Sequence, residues 1–356
     1  MHVPDGFINA PVSVAAGVAA AAAVAVSLRG ARRELDERTA PLAGLVAAFI
    51  FAVQMLNFPV AAGTSGHLMG GALAAILVGP YTGVLCVSVV LLMQGILFAD
   101  GGLTALGVNI TVMGVVTVVT AHLVFRGLLG VLPRTRRSVT VAGFAAALLS
   151  VPAAAAAFTA VYAVGGTTDV PLGKVLTAMV GVHVLIGIGE ALITTATVGA
   201  VIAVRPDLVH GARGLAAPLK LRVDGALVDA PAAAPARESA AVGRPTKKVW
   251  ATGLVTALVL AGFVSFYASA DPDGLEKVAA DQGIDQKAEE HAAAGSPLAD
   301  YGVKDVEDAR LSGGLAGAIG VGVTVVAGTG IFWAVRRRTT DAPAATAASS
   351  TATPVA

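Results

Sequence analysis

Long apolar stretches separated by short polar segments run along most of this chain. A membrane-spanning helix needs about 20 mostly apolar residues. The pattern predicts spans at 11–28, 41–58, 81–98, 103–125, 139–164 and 175–204, with a shorter helix at 68–78, and two later spans at 249–268 and 313–335. It therefore indicates an all-α polytopic membrane protein, in which a seven-helix bundle is followed by a two-helix hairpin with an external loop.

The polar segments divide the chain into four regions. Residues 1–209 form the predicted membrane bundle, and residues 210–246, rich in Ala, Pro and Arg, are typical of a flexible linker. Residues 247–338 contain the hairpin, with a polar loop over 269–312. Residues 339–356 are rich in Ala, Thr, Ser and Pro, which predicts a disordered tail.

Basic residues mark which ends of the spans face the cytoplasm. Arginine clusters follow the spans that end near 28, 125 and 204, while Lys247 and Lys248 precede the eighth span and Arg336–Arg338 follow the ninth. The positive-inside rule places these ends in the cytoplasm. We therefore expect a cell-membrane protein with the N-terminus, the loop near residue 67 and the 269–312 loop outside, and the linker and the C-terminus inside.

Composition agrees with this class and excludes several functions. The chain is 56% hydrophobic and 13% charged, with a mean hydropathy of +0.79, which is typical of a membrane protein in contact with lipid. The net charge of +1 gives no indication of a nucleic-acid partner. The single cysteine, Cys86, excludes disulfides within the chain and thiolate metal sites. The Gly173-Lys174 pair is followed by Val175 and does not form a phosphate-binding loop, so ATP hydrolysis would need another subunit.

The first two residues, Met1 and His2, form a potential metal chelate. The α-amine of Met1, the backbone nitrogen of His2 and the imidazole of His2 would close two fused rings around one ion. Planar nitrogen coordination of this kind suits Ni(II) and Cu(II). The large side chain at position 2 disfavours removal of the initiator methionine, so we expect Met1 to be retained.

A fourth ligand would have to come from elsewhere, and His67 is the candidate because it lies on the same predicted face within Ser65-Gly66-His67-Leu68. Asp5 and Asn57 could orient the imidazoles, although Asp5 fits equally well in a Pro4-Asp5-Gly6 turn. The polar residues Gln54, Gln94 and Asn109 lie in or near spans and are expected to join helices, outside the metal site.

A second candidate pair lies within the seventh span, where His183 and Glu190 share one helix face at a spacing of seven residues. A carboxylate inside a membrane is a functional candidate, although such a pair also serves to fix a helix to its neighbours. The 269–312 loop is strongly acidic and could concentrate cations or simply be solvated.

Three motifs in this order resemble the M-type substrate-binding subunit of nickel/cobalt energy-coupling-factor transporters. They are Met1-His-Val-Pro-Asp-Gly-Phe7, Ser65-Gly-His-Leu-Met-Gly-Gly71 and His183-Val-Leu-Ile-Gly-Ile-Gly-Glu190. The segment Pro272-Asp-Gly-Leu-Glu276 resembles the signature of the small N-type subunit, here fused behind the first module. The Pro272-Asp-Gly-Leu sequence also echoes Pro4-Asp-Gly-Phe7.

The resemblance implies a six-helix substrate-binding bundle with one extra N-terminal helix, and a metal held by Met1, His2 and His67. It also implies partners outside this chain, namely a transmembrane coupling subunit and two cytoplasmic ATPases. The expected function is capture of Ni(II) or Co(II) for ATP-driven import, with no catalytic residues and no permanent cofactor in this chain. A membrane metal sensor and an intramembrane metalloenzyme using His183 and Glu190 are the alternatives.

Overall fold

The computed structural model describes residues 1–36, 39–61, 63–133, 135–215, 220–223, 226–229 and 246–340. Within these ranges the first module is helical, and its helices are α1 Ala10–Glu34, α2 Thr39–Gln54, α3 Gly71–Val78, α4 Pro80–Met93, α5 Leu106–Asn109, α6 Thr117–Val131, α7 Arg136–Gly165 and α8 Leu172–Val204. Two π-helical turns interrupt the α-helical pattern, at Gln94–Phe98 after α4 and at Ile110–Val116 between α5 and α6. Such turns are frequent at functional sites, and Gln94 in the first of them contacts His2.

Seven helical stretches in the described part of the chain are long and apolar enough to cross a membrane, namely Ala10–Glu34, Pro80–Phe98, Leu106–Val131, Arg136–Gly165, Leu172–Val204, Lys247–Tyr267 and Ala309–Arg337. The shorter α2 is also apolar, and most of its side chains are buried inside the protein. The prediction of a polytopic helical membrane protein is therefore confirmed.

The second predicted span is too long at its C-terminal end. It was expected to continue to Phe58, but α2 ends at Gln54 and the chain then forms a β-hairpin in place of the expected loop. Strand β1 (Phe58–Ala61) pairs antiparallel with β2 (Thr64–Gly66), with Pro59 opposite Ser65. The hairpin carries the chain back over the bundle and delivers His67 to the start of α3.

The second module packs on the first through its two long helices. These are α9 (Thr246–Gly262) and α11 (Ala309–Thr340), and both contact α2. Close approach is possible because small residues face each other; Gly44 on α2, for example, lies against Thr329 on α11. Between them lie α10 (Gly274–Gln282) and short 3₁₀ turns at Val264–Tyr267, Ile284–Lys287 and Ala299–Tyr301.

The predicted linker over 210–246 is only partly described. It begins with a 3₁₀ helix, His210–Leu215, in which Ala212 is buried against the bundle, so its first residues are packed. Strands β3 (Lys220–Val223) and β4 (Ala226–Asp229) form a two-stranded antiparallel pair. The rest of the linker and most of the predicted tail, from residue 341 onward, lie outside the described residues.

Candidate metal centre

The N-terminal segment folds back into the protein and is held along its length. Met1 and Val3 are only 2% and 0% exposed. The side chain of Asn109 accepts a hydrogen bond from the Val3 N–H (2.8 Å) and donates one to the Val3 carbonyl (3.1 Å). Asp5 accepts hydrogen bonds from the N–H and hydroxyl of Thr104 at 2.8 and 2.5 Å. The segment that directly follows the chelating residues is therefore fixed.

The α-amine of Met1 lies between two groups that approach from distant parts of the chain. The Nε2 atom of His67 is 2.7 Å from the amine nitrogen, and the Oδ2 atom of Asp273 is also 2.7 Å away. His67 Nε2 and Asp273 Oδ2 are themselves 3.6 Å apart. One amine, one imidazole and one carboxylate thus meet at a single buried point.

The two histidines of the centre lie face to face. The ring centroids of His2 and His67 are 5.1 Å apart with an interplanar angle of 18°. His67 Nδ1 donates to the Leu68 carbonyl at 3.1 Å, which orients the ring with Nε2 toward the Met1 amine. Burial lowers the pKa of His2 to about 4, so the His2 ring is neutral near neutral pH.

The cluster formed by His2, His67 and Asp273 can hold a metal ion, because one ligand atom from each lies within 4.8 Å of the others. All three residues are buried. Imidazole and amine nitrogens suit Ni, Cu and Co, and the carboxylate adds a negative charge beside a divalent cation. The donor set therefore fits a divalent transition metal.

Asp273 belongs to the second module and caps helix α10. Its Oδ1 atom accepts from the N–H groups of Leu275 and Glu276, while the Glu276 side chain accepts from the Asp273 N–H, which is a complete capping box. Burial alone would raise the pKa of the Asp273 carboxyl. The nearby Met1 amine and His67 hold it well below its usual range, so the group is a carboxylate.

His2 contacts two polar side chains of the first module, and a tyrosine of the second module binds both of them. His2 Nε2 is 3.2 Å from Gln94 Oε1, and His2 Nδ1 is 3.2 Å from Asp100 Oδ1. The hydroxyl of Tyr301 reaches both of these partners, at 2.9 Å from Gln94 Nε2 and 2.6 Å from Asp100 Oδ2.

The remaining predicted site residues hold the scaffold. The hydroxyl of Ser65 donates to the Asp271 carbonyl at 2.7 Å, and the Asn57 carbonyl accepts from the Ser269 N–H at 2.7 Å, so both tie the hairpin to the second module. Glu190 accepts from the N–H groups of Met69 (2.7 Å) and Gly70 (3.2 Å), which fixes the loop behind His67.

His183, the other member of the pair predicted on α8, is fully buried, and its Nδ1 donates to the Met179 carbonyl at 2.7 Å. The end of its ring lies next to Gly274, where a Cβ atom would sit 3.1 Å from His183 Cε1. His183 thus packs against the first residue of α10.

One sequence expectation needs correction, and the contacts bear on two alternatives that the sequence left open. Gln94 and Asn109 do not merely join helices, because each contacts the terminal segment at the centre. The 269–312 loop is not simply solvated, since its Asp273 contacts the amine. Asp5 binds Leu103 and Thr104 and does not orient an imidazole.

A cavity of about 650 Å³ opens beside the centre, and the carboxylates of Asp100, Asp273, Glu276, Glu289 and Asp300 line it. Arg310 is the one cationic Lys or Arg side chain among the described residues that line it. The cavity therefore offers a negatively charged approach for a cation.

The fold defines a multi-pass membrane protein, and residues of both modules form its buried, nitrogen-rich candidate cation site. Residues 2–208 match the family model described as "cobalt uptake substrate-specific transmembrane region", and the chain belongs to this family. Residues 247–337 match the PDGLE domain, so the chain is an M-type subunit fused to an N-type subunit, as the motifs predicted.

Individual relatives agree with this assignment. A protein of Haloquadratum walsbyi that is provisionally named for metal transport is 39% identical over 211 residues, covering 59% of this chain and 93% of its own. The fused nickel transport protein NikMN of Rhodobacter capsulatus is 37% identical over 239 residues, covering 61% and 66% of the two chains. A crystal structure of a truncated transition metal transporter superposes with a TM-score of 0.50 and 25% identity, over 57% of this chain and 99% of that one. The protein is thus a member of a nickel and cobalt transport family.

Proposed function

We propose that this protein is the substrate-binding subunit of an ATP-driven importer of the energy-coupling-factor type. In this proposal it captures Ni(II) or Co(II) on the outer face of the cell membrane. The observation that carries the proposal is the convergence of the Met1 amine and His67 Nε2 at 2.7 Å, beside His2. The ligands are the Met1 amine, the backbone nitrogen and Nδ1 of His2, and Nε2 of His67, in a square-planar arrangement.

The chemistry of these donors supports a transition metal over Mg²⁺ or Ca²⁺, which prefer oxygen ligands. The acidic cavity supports entry from the side that carries the N-terminus. The distribution of basic residues supports placing that side outside and the C-terminus in the cytoplasm.

The partners in this proposal are a transmembrane coupling subunit and two cytoplasmic ATPases. The sequence supports a need for them, because its Gly173-Lys174 pair lacks the following hydroxyl residue of a phosphate-binding loop. The first module binds the metal, and the N-type module closes over the centre and assists loading. In this assignment residues 1–209 and 247–338 act together, joined through the 210–246 linker.

Uptake of radioactive nickel and cobalt by cells that express this chain with or without the coupling and ATPase subunits tests the proposal. We expect uptake only when all subunits are present, together with saturable metal binding by the purified chain alone. Metal binding without uptake in the complete complex would favour a sensor, and the absence of metal binding would contradict the proposal.

A separate prediction concerns the carboxylate of Asp273. A divalent cation carries more positive charge than the ammonium group that Asp273 now contacts, so the carboxylate should favour the metal-bound state. We expect Asp273→Asn to weaken nickel binding by about 10- to 100-fold, the range typical of groups around metal ligands. Asn caps helices as well as Asp does, so α10 should remain intact.

Isothermal titration with nickel checks this prediction. The matched control is Asp281→Asn, which makes the same change on α10 at a side chain that pairs with Lys277, away from the centre. Equal affinities in the Asp273→Asn and Asp281→Asn variants would show that the carboxylate does not act on the metal.

A further inference from the structure

A second cavity, of about 410 Å³, lies at the end of the bundle opposite the metal centre, and its polar side chains come from two short segments. His122 and Arg126 are four residues apart on α6, and His210 and Arg213 are three residues apart on the 3₁₀ helix His210–Leu215. Side chains at these spacings share one face of their helix. Each segment therefore contributes one histidine and one arginine to the same cavity.

The two segments are packed closely against each other. Gly211 lies so near α6 that a Cβ atom there would be 2.8 Å from the Phe125 ring. The neighbouring Ala212 is 3% exposed, and Val209 is fully buried. The first residues of the linker are therefore fixed on the bundle, and this packing sets the positions of His210 and Arg213 relative to α6.

The positive charges at this cavity are not neutralised by the protein groups around them. The described residues that line it include two arginines and no carboxylate. Within the part of the chain that the structure describes, neither Arg126 nor Arg213 forms an ion pair. Glu34 is close to Arg213, but its carboxylate accepts from the N–H and hydroxyl of Thr82 at 2.7 and 2.8 Å. The contact that Arg213 makes is with the Glu34 backbone carbonyl, at 3.5 Å.

His210 adds a hydrogen-bonding atom that has no partner among the described residues. Its Nδ1 atom is buried and unpaired there. Burial and the neighbouring Arg213 lower the pKa of His210 to about 4, so the ring is neutral near neutral pH and carries one N–H group. Buried polar atoms in native proteins nearly always have a partner. An unpaired nitrogen beside a cavity therefore indicates that the cavity accommodates a group able to bond to it.

These features together favour one class of ligand, the phosphate group. A guanidinium group binds two phosphate oxygens with parallel hydrogen bonds, which makes arginine better suited to this task than lysine. The negative charge of a phosphate would balance the two arginines, and a neutral imidazole can donate a further hydrogen bond to it. The apolar side chains of Leu129 and Val139 also line the cavity, so a phosphate attached to an apolar chain fits as well.

We propose that this cavity is a phosphate-binding site, in which Arg126 and Arg213 hold the anion, His210 donates to it, and the bound ligand connects the start of the linker to α6. The inference goes beyond the proposed function, because the site is separate from the metal centre. An anionic lipid headgroup and a soluble phosphate offer the same chemistry. The position of Arg126 near the end of the apolar stretch Leu106–Val131 suits a lipid, since basic pockets between membrane helices bind such headgroups.

The test uses the full-length protein purified in detergent, with phosphatidylglycerol and inorganic phosphate as separate probes. Native mass spectrometry measures binding of phosphatidylglycerol against phosphatidylcholine, and calorimetric titration measures binding of inorganic phosphate. In the variant that combines Arg126→Gln with Arg213→Gln, we expect the dissociation constant of the bound probe to rise about tenfold or more, because charge-assisted hydrogen bonds are lost. The matched control combines Arg136→Gln with Arg137→Gln, which removes two charges at exposed positions at the start of α7, outside the cavity lining.

A conservative variant separates a shaped site from a general attraction between charges. Combining Arg126→Lys with Arg213→Lys keeps both charges and removes both guanidinium groups, so we expect weaker binding than in the native protein. Phosphatidylglycerol binding that the glutamine variant loses and the control keeps would assign the ligand to a membrane lipid, and the same result with inorganic phosphate would assign it to a soluble phosphate. The inference is overturned if the native protein binds neither probe, or if the glutamine or the lysine variant binds as the native protein does.

Discussion

Replacing His67 with Ala is expected to reduce nickel affinity strongly while the N-terminal chelate of Met1 and His2 stays in place. The substitution removes the imidazole whose Nε2 lies 2.7 Å from the Met1 amine, and it leaves three of the four proposed nitrogens. The decrease in nickel affinity should exceed the roughly 10- to 100-fold decrease that is typical when a residue hydrogen-bonded to a metal ligand is removed. The fold should persist, because the loop remains fixed by the hydrogen bonds from Met69 and Gly70 to Glu190.

Calorimetric titration with nickel, together with thermal unfolding, checks this expectation. His122→Ala serves as the control, since it removes a half-buried histidine from α6 near the pocket at the other end of the bundle, which His122 lines with His210. An unchanged stoichiometry and affinity in His67→Ala would rule out the four-nitrogen site.

The part of the candidate centre formed by residues adjacent in the chain could be predicted from the sequence. Met1 and His2 are adjacent, so their chelating potential can be recognised without any fold. His67 could be added because the distribution of basic residues predicted that its loop lies on the same side of the membrane as the N-terminus. The helices could be predicted because apolar runs of this length have few other stable conformations.

Asp273 could not be assigned a role in this way, although its motif was recognised. The residue is 272 positions from Met1, and its contact depends on how α10 rests on α8. A signal was nevertheless present, because Asp273 followed by Glu276 is a capping box that aims one carboxylate oxygen into the helix and leaves the other free. The echo of Pro4-Asp5-Gly6 did not extend to the backbone, because Asp5 and Gly6 form a turn whereas Asp273 and Gly274 begin helix α10.

The contacts around His2 could not be predicted for a different reason, which concerns the positions of Gln94, Asp100 and Tyr301. Gln94 begins a π-helical turn and Ala99, before Asp100, has a φ of 55°, and neither feature follows from residue preferences. Tyr301 lies in a segment of short 3₁₀ turns with no periodic pattern. Their convergence on His2 is a product of packing between modules, which an apolar pattern does not encode.

Extending the N-terminus by one glycine is expected to abolish the site. The extension converts the primary amine into a peptide nitrogen, and the Met1 amine now lies 2.7 Å from both His67 and Asp273 with Met1 only 2% exposed. A close-packed interior of this kind has little room for an added residue. The matched control adds one glycine after Ala356, which leaves the amine unchanged.

The extended protein could in principle bind metal in another way, because an amine and two amides before an imidazole can surround an ion without His67. The experiment therefore combines the extension with His67→Ala and measures nickel affinity across neutral pH. We expect native affinity to rise with pH, since binding displaces protons from the amine and the amide. His2, with a pKa of about 4, contributes nothing to this slope near neutral pH. If the extended protein kept native affinity and still required His67, the free amine would not be a ligand.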